Sequence, residues 1–118
     1  MNRPRGIAFL LLLAVVLPLG QARADKALNA LKPFLRTHCL ECHGPDKQKS
    51  EIRFDTLGTD LTDLRTLEIW QDALDQLNLG EMPPKKAEQP KRADTAKFID
   101  ALSLRLELAY KQRKSTGG

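Results

Sequence analysis

Side chains able to hold a metal or pass electrons are scarce: the 118 residues contain two cysteines, two histidines and two methionines. Zinc needs four ligands, yet Cys39, Cys42, His43 and His38 crowd into six consecutive residues, and no second ligand pair exists elsewhere. A thioredoxin-like redox pair needs a strand ahead of its cysteines and a βαβ setting, and the residues before Cys39 provide neither. No paired carboxylates and no nucleophile beside a base are recognisable, so an enzyme is not expected. Internal repeats and strand-rich stretches are also missing. Aromatic residues make up only 5% of the chain, and past the N-terminal region they are Phe34, Phe54, Trp70, Phe98 and Tyr110. The one long apolar run, Ile7 to Leu19, has about 13 residues, short of the ~20 a membrane-spanning helix needs.

That run reads as part of an export signal. Arg3 and Arg5 precede it, and Ala22-Arg23-Ala24 follows as an A-x-A cleavage site. Residues 1–24 are therefore expected to be a signal peptide, with an uncleaved anchor as the alternative. No cysteine follows the run closely, which argues against a lipid anchor. Removing Arg3, Arg5 and Arg23 takes the net charge from +4 to +1, so the basic character belongs mostly to the signal and no nucleic-acid partner is implied. The expected location is periplasmic or otherwise exported, with no membrane span after cleavage. Export puts Cys39 and Cys42 in an oxidising compartment, where pairing with each other is one open reading.

The mature chain reads as a single all-α domain over 25–112, followed by a disordered basic tail over 113–118. A helix from about Pro33 into the cysteines is expected, since proline is tolerated in a first turn. Gly44-Pro45-Asp46 stops it. The polar stretch from Lys47 to Asp60 reads as a loop whose inward contacts are Phe54 and Leu57. Leu67, Trp70, Leu74 and Leu77 recur at helical spacing and predict a helix over Leu67–Leu79, with Thr66 as cap and Gly80 as terminator. Ala93 to Gln112 predicts the longest helix, with Phe98, Ile99, Leu102, Leu106 and Ala109 as its core face. Leu104 and Leu108 make its apolar surface broader than one small core needs.

Cys39-Leu40-Glu41-Cys42-His43 is the stretch that carries chemistry. C-x-x-C-H is a covalent haem-attachment pattern: two thiols one turn apart add to the two vinyl groups of one haem c. The histidine that follows lies under the iron as proximal ligand. Met82 is then the candidate distal ligand, because it is the only methionine after signal removal and His38 adjoins the attachment site on the wrong side. Gly80 before it, and Pro83 and Pro84 after it, make a stiff loop at the end of a helix. The bland alternative is that Met82 fills the core. Arg53 can pair with a haem propionate or be a solvated charge. Trp70 can give its indole N–H to a propionate or simply sit in the core. From proximity alone, the carbonyl of Pro45 is the expected acceptor for the second ring proton of His43. Lys85 and Lys86 either steer an acidic redox partner or face solvent.

The words Pro33-Phe34-Leu35, Cys39 to Asp46 (C-L-E-C-H-G-P-D), Lys47-Gln48-Lys49, Ile52-Arg53-Phe54-Asp55, Trp70 and Gly80-Glu81-Met82-Pro83-Pro84 resemble the planctomycete-type cytochrome c domain over roughly Pro33 to Leu102. The resemblance implies a small cytochrome c-like bundle of three to four helices wrapped around one haem. In it Cys39 and Cys42 are the thioether sites, His43 is proximal and Met82 distal. The chain departs from the family at Ser50-Glu51, where a glycine-rich spot is usual. Two functions follow as expectations. One is an exported carrier of single electrons, with an unidentified redox protein as partner. The other is a non-carrier haem module, either a ligand sensor or a structural haem subunit of a larger redox complex.

Overall fold

The computed structural model describes residues 26–117; the expected signal peptide at 1–24 lies outside them. A helical turn at 26–29 leads into α1 (Lys32–His38), which is followed by α2 (Leu64–Asn78) and α3 (Arg92–Ser115). Among the described residues there is no strand, only an isolated bridge between His43 and Gln48. The fold is all-α, and none of its helices is long and apolar enough to cross a membrane.

α1 starts with Pro33 in its first turn, where the missing N–H costs no helical hydrogen bond. The motif grows directly out of its end: the amides of Cys39 and Leu40 both donate to the carbonyl of Leu35, at 2.9 and 3.0 Å. α2 begins earlier than the spacing of its leucines predicts. Its cap is Asp63, whose carboxylate accepts from the amide of Thr66 at 2.8 Å, so the expected cap residue lies inside the helix as the donor. Asp60 accepts from both the amide and the hydroxyl of Thr62, shaping the turn just before the cap.

α2 and α3 pack together with α1 against them. Leu28, Leu31, Leu35, Leu61, Leu67, Trp70, Leu74, Phe98, Leu102, Leu106 and Ala109 form one buried cluster. Phe34 stacks on Phe98 with ring centroids 4.5 Å apart and so joins α1 to α3. Each fully buried leucine or phenylalanine contributes roughly 1.5–3 kcal/mol, which compensates for a core with few aromatics. Leu104 and Leu108 are exposed, at 60% and 48%, so the excess apolar surface of α3 faces outward. α3 also runs past the expected boundary at Gln112. Lys111 pairs with Glu107 one turn back, and the guanidinium of Arg113 donates to the carbonyl of Thr62 at 3.3 Å. These contacts continue the helix through Ser115, into the stretch expected to be a disordered tail.

Candidate haem-attachment site

Cys39, Cys42 and His43 share one helical turn: the amides of Cys42 and His43 both donate to the carbonyl of Cys39, at 3.2 and 2.9 Å. Both thiols are free and half-buried. Burial pushes the Cys39 thiol up to about 12. Among the described residues, no three His, Cys, Asp or Glu side chains are grouped to hold a metal ion.

The chain then folds back onto this turn. Gly44 donates to the carbonyl of Lys47 at 2.8 Å, Lys49 to that of Cys42 at 2.9 Å, and Phe54 to that of His43 at 2.9 Å. The return is so close that a Cβ on Gly44 would lie 2.3 Å from the carbonyl oxygen of Leu40. Only glycine fits after His43, a requirement beyond its part in stopping the helix.

The imidazole is oriented by the same return loop. Nδ1 of His43 lies 3.0 Å from the carbonyl oxygen of Lys49. A carbonyl can only accept, so Nδ1 carries the proton and Nε2 keeps its lone pair for a metal. Lys49, not Pro45, is therefore the acceptor. Its carbonyl is presented by a short 3₁₀-type turn, Lys49–Glu51, in which Ser50 (φ 56°) and Glu51 (φ 58°) both adopt the left-handed conformation. This is the Ser50-Glu51 stretch noted in the sequence. Phe54 presents its edge to the His43 ring at 5.5 Å, and its ring lies 5.7 Å from that of Trp70, so aromatic contacts run from the motif to α2.

The two candidate propionate donors have other partners here. The indole N–H of Trp70 donates to the carbonyl of Gly58 at 3.0 Å, and the ring is buried in the core. Arg53 forms an ion pair with Asp55, its Nε 3.0 Å from one carboxylate oxygen. That pairing holds the Asp55 carboxyl below the usual carboxylate range. His38 packs on the Phe34 ring at 4.9 Å, and its Nδ1 is buried without a hydrogen bond.

Met82 lies past the end of α2, where Gly80 (φ 71°) turns the chain. The amides of Glu81 and Met82 both donate to the carbonyl of Gln76, at 3.0 and 3.3 Å, and the Met82–Pro83 peptide is cis. Met82 is 39% exposed and stands outside the core cluster. A methionine that fills the core is buried, and Met82 is not among the buried residues. Lys85 and Lys86 are exposed. A cavity of about 540 Å³ opens between α1 and the loop at 54–59, lined among others by Leu35, Leu40, Phe54, Trp70, Lys32 and Arg36. Cys39, Cys42, His43 and Met82 do not line it, although Leu40 of the motif does.

The residues present suit a covalent haem: two unpaired thiols one turn apart, and an imidazole whose other nitrogen is already bound. Comparison with curated proteins and with solved structures gave no match. A family model, Planctomycete cytochrome C, matches residues 39–86, from the first motif cysteine through the Met82 loop. The match falls on the stretch whose residues resemble the planctomycete-type cytochrome c domain, and such a domain suggests a haem-binding redox protein.

Proposed function

We propose that the protein is an exported carrier of single electrons, with one haem c held by thioethers from Cys39 and Cys42 and ligated by His43 and Met82. The observation that carries this reading is the hydrogen bond from His43 Nδ1 to the Lys49 carbonyl. It sets the tautomer and ring orientation of an imidazole whose Nε2 has no other work to do. When bound, the haem supplies a reversible one-electron change at its iron. Everything else is done by the chain. The motif turn spaces the two sulfurs, and the Lys49 carbonyl makes His43 a stronger donor. Phe54 and Trp70 provide apolar surroundings, and the Met82 loop offers a thioether, which favours the ferrous state and raises the potential.

Helices wrapped around the cofactor, signal cleavage after Ala24 and absence of enzymatic activity belong to the same proposal. Lys85 and Lys86 beside the Met82 loop suit an acidic partner protein. The sensor or structural-haem reading draws on the 39% exposure of Met82, which leaves that side accessible.

The test is protein made in a host able to mature c-type haem. Intact mass after acid–acetone extraction should equal the chain from Asp25 plus one haem. Haem-free protein, or protein with free thiols or bound zinc, overturns the proposal. Cys39→Ala and Cys42→Ala should each keep at most one thioether and lose most holoprotein.

A further inference from the structure

Pro83 and Pro84 have no amide hydrogen, so the two residues that follow Met82 cannot be fastened by their own backbone donation. The carbonyl oxygens of this segment are instead gathered by one side chain. The carboxamide nitrogen of Gln89 lies 2.9 Å from the carbonyl oxygen of Pro84, 3.1 Å from that of Ala87 and 3.4 Å from that of Pro83. The amide of Ala87 donates to the carbonyl of Pro84 at 2.8 Å and closes the same ring. On the other side of Met82, the Gln76 carbonyl accepts from the amides of Glu81 and Met82. Met82 therefore sits between two fastenings, one from the end of α2 and one from Gln89. The second supplies the only side-chain hydrogen bonds to residues 81–87 among those described.

We infer that Gln89 is a positioning residue for the distal ligand: its carboxamide holds the Met82-Pro83-Pro84 segment closed so that the thioether stays at the iron. The inference rests on Met82 being that ligand. Gln89 lies beyond the 39–86 match, so the family model does not assign it. Glutamine is the right chemistry because an NH₂ group has two hydrogens to share among several carbonyls, whereas a glutamate of the same size has only acceptors. Met82 itself is exposed and outside the core cluster, so its position follows that of its neighbours, the buried Pro83 and the carbonyls that Gln89 gathers.

The experiment compares wild-type holoprotein with Gln89→Ala, Gln89→Glu and a control at the exposed neighbouring position, Glu88→Gln. Two readouts are followed: the near-infrared sulfur-to-iron band of the oxidised protein, and the rate at which the reduced protein binds carbon monoxide. Carbon monoxide must wait for the thioether to leave, so its rate reports loop opening. Both Gln89 variants should weaken the band and speed binding about tenfold, as expected from losing one or two exposed hydrogen bonds. The control should match wild type. A wild type with the band, and Gln89 variants within twofold of it on both readouts, overturns the assignment of Gln89 alone. An equal change in the Glu88→Gln control also overturns it. A wild type with no band overturns Met82 ligation and the Gln89 assignment together.

Discussion

Replacing Ser50 with glycine should make this protein more stable, although glycine usually does the opposite. Ser50 and Glu51 stand at φ 56° and 58°, consecutive left-handed residues with side chains. A Cβ in that conformation crowds the following carbonyl oxygen and costs roughly 1–2 kcal/mol per residue. Glycine removes that cost but adds freedom to the unfolded chain, worth about 0.4–1 kcal/mol. Both side chains are exposed and make no hydrogen bond, so little else is lost. The net for Ser50→Gly is a gain of about 0.5–1 kcal/mol, and for Ser50→Gly with Glu51→Gly about twice that. In a domain of this size 1 kcal/mol shifts the melting temperature by roughly 4–8 °C. The assay is reversible thermal unfolding of the oxidised holoprotein followed by far-ultraviolet circular dichroism. The visible spectrum should stay unchanged, because the turn still presents the Lys49 carbonyl to His43. A single variant that melts lower than wild type would refute the reasoning, since it would show that these residues are not strained or that their side chains do work in the turn.

Gly44→Ala should act in the opposite direction. Its Cβ would meet the backbone carbonyl of Leu40 at 2.3 Å, so the return loop must move off the motif, and the yield of holoprotein should fall sharply while a control Gly58→Ala, whose Cβ would make only an ordinary contact 3.9 Å from the amide of Asp60, matures normally. Met82→Ala should abolish the near-infrared band, open the reduced protein to carbon monoxide and lower the potential, whereas Met82→His should restore six-coordination at a low potential. An unchanged spectrum and potential in Met82→Ala would move the sensor or structural-haem reading ahead. Hydrogen bonds from Thr66 hold the Asp63 carboxyl below its ordinary value, so its cap contributes fully above about pH 3.9 and is lost as pH falls through its lower folded value. Asp63→Asn, which keeps an acceptor without a titrating group, should flatten the acid end of the melting-temperature profile; an identical profile would show that this cap plays no part in it.

Residue spacing alone was enough to name the motif, the single usable methionine, the helical class and most of the buried face of α3, because those depend on chemistry or periodicity within a few neighbouring residues. Phe98, Leu102, Leu106 and Ala109 are buried as their spacing requires, and Cys39, Cys42 and His43 are brought together by one turn of backbone. What the spacing could not reach was where carbonyl oxygens point. The Lys49 carbonyl rather than that of Pro45 accepts the hydrogen bond from His43 because Ser50 and Glu51 turn left-handed, a conformation that neither residue type announces. The indole of Trp70 goes to Gly58 and the guanidinium of Arg53 to Asp55, partners decided by how the loop at 54–59 settles against α2. Gln89 is the extreme case: a polar residue in a polar linker, it carries no local signal at all. Its carboxamide finds three carbonyls only after the chain beyond Pro84 has curled back on itself. Backbone carbonyls look alike in every sequence, and only the tertiary path decides which donor each one meets.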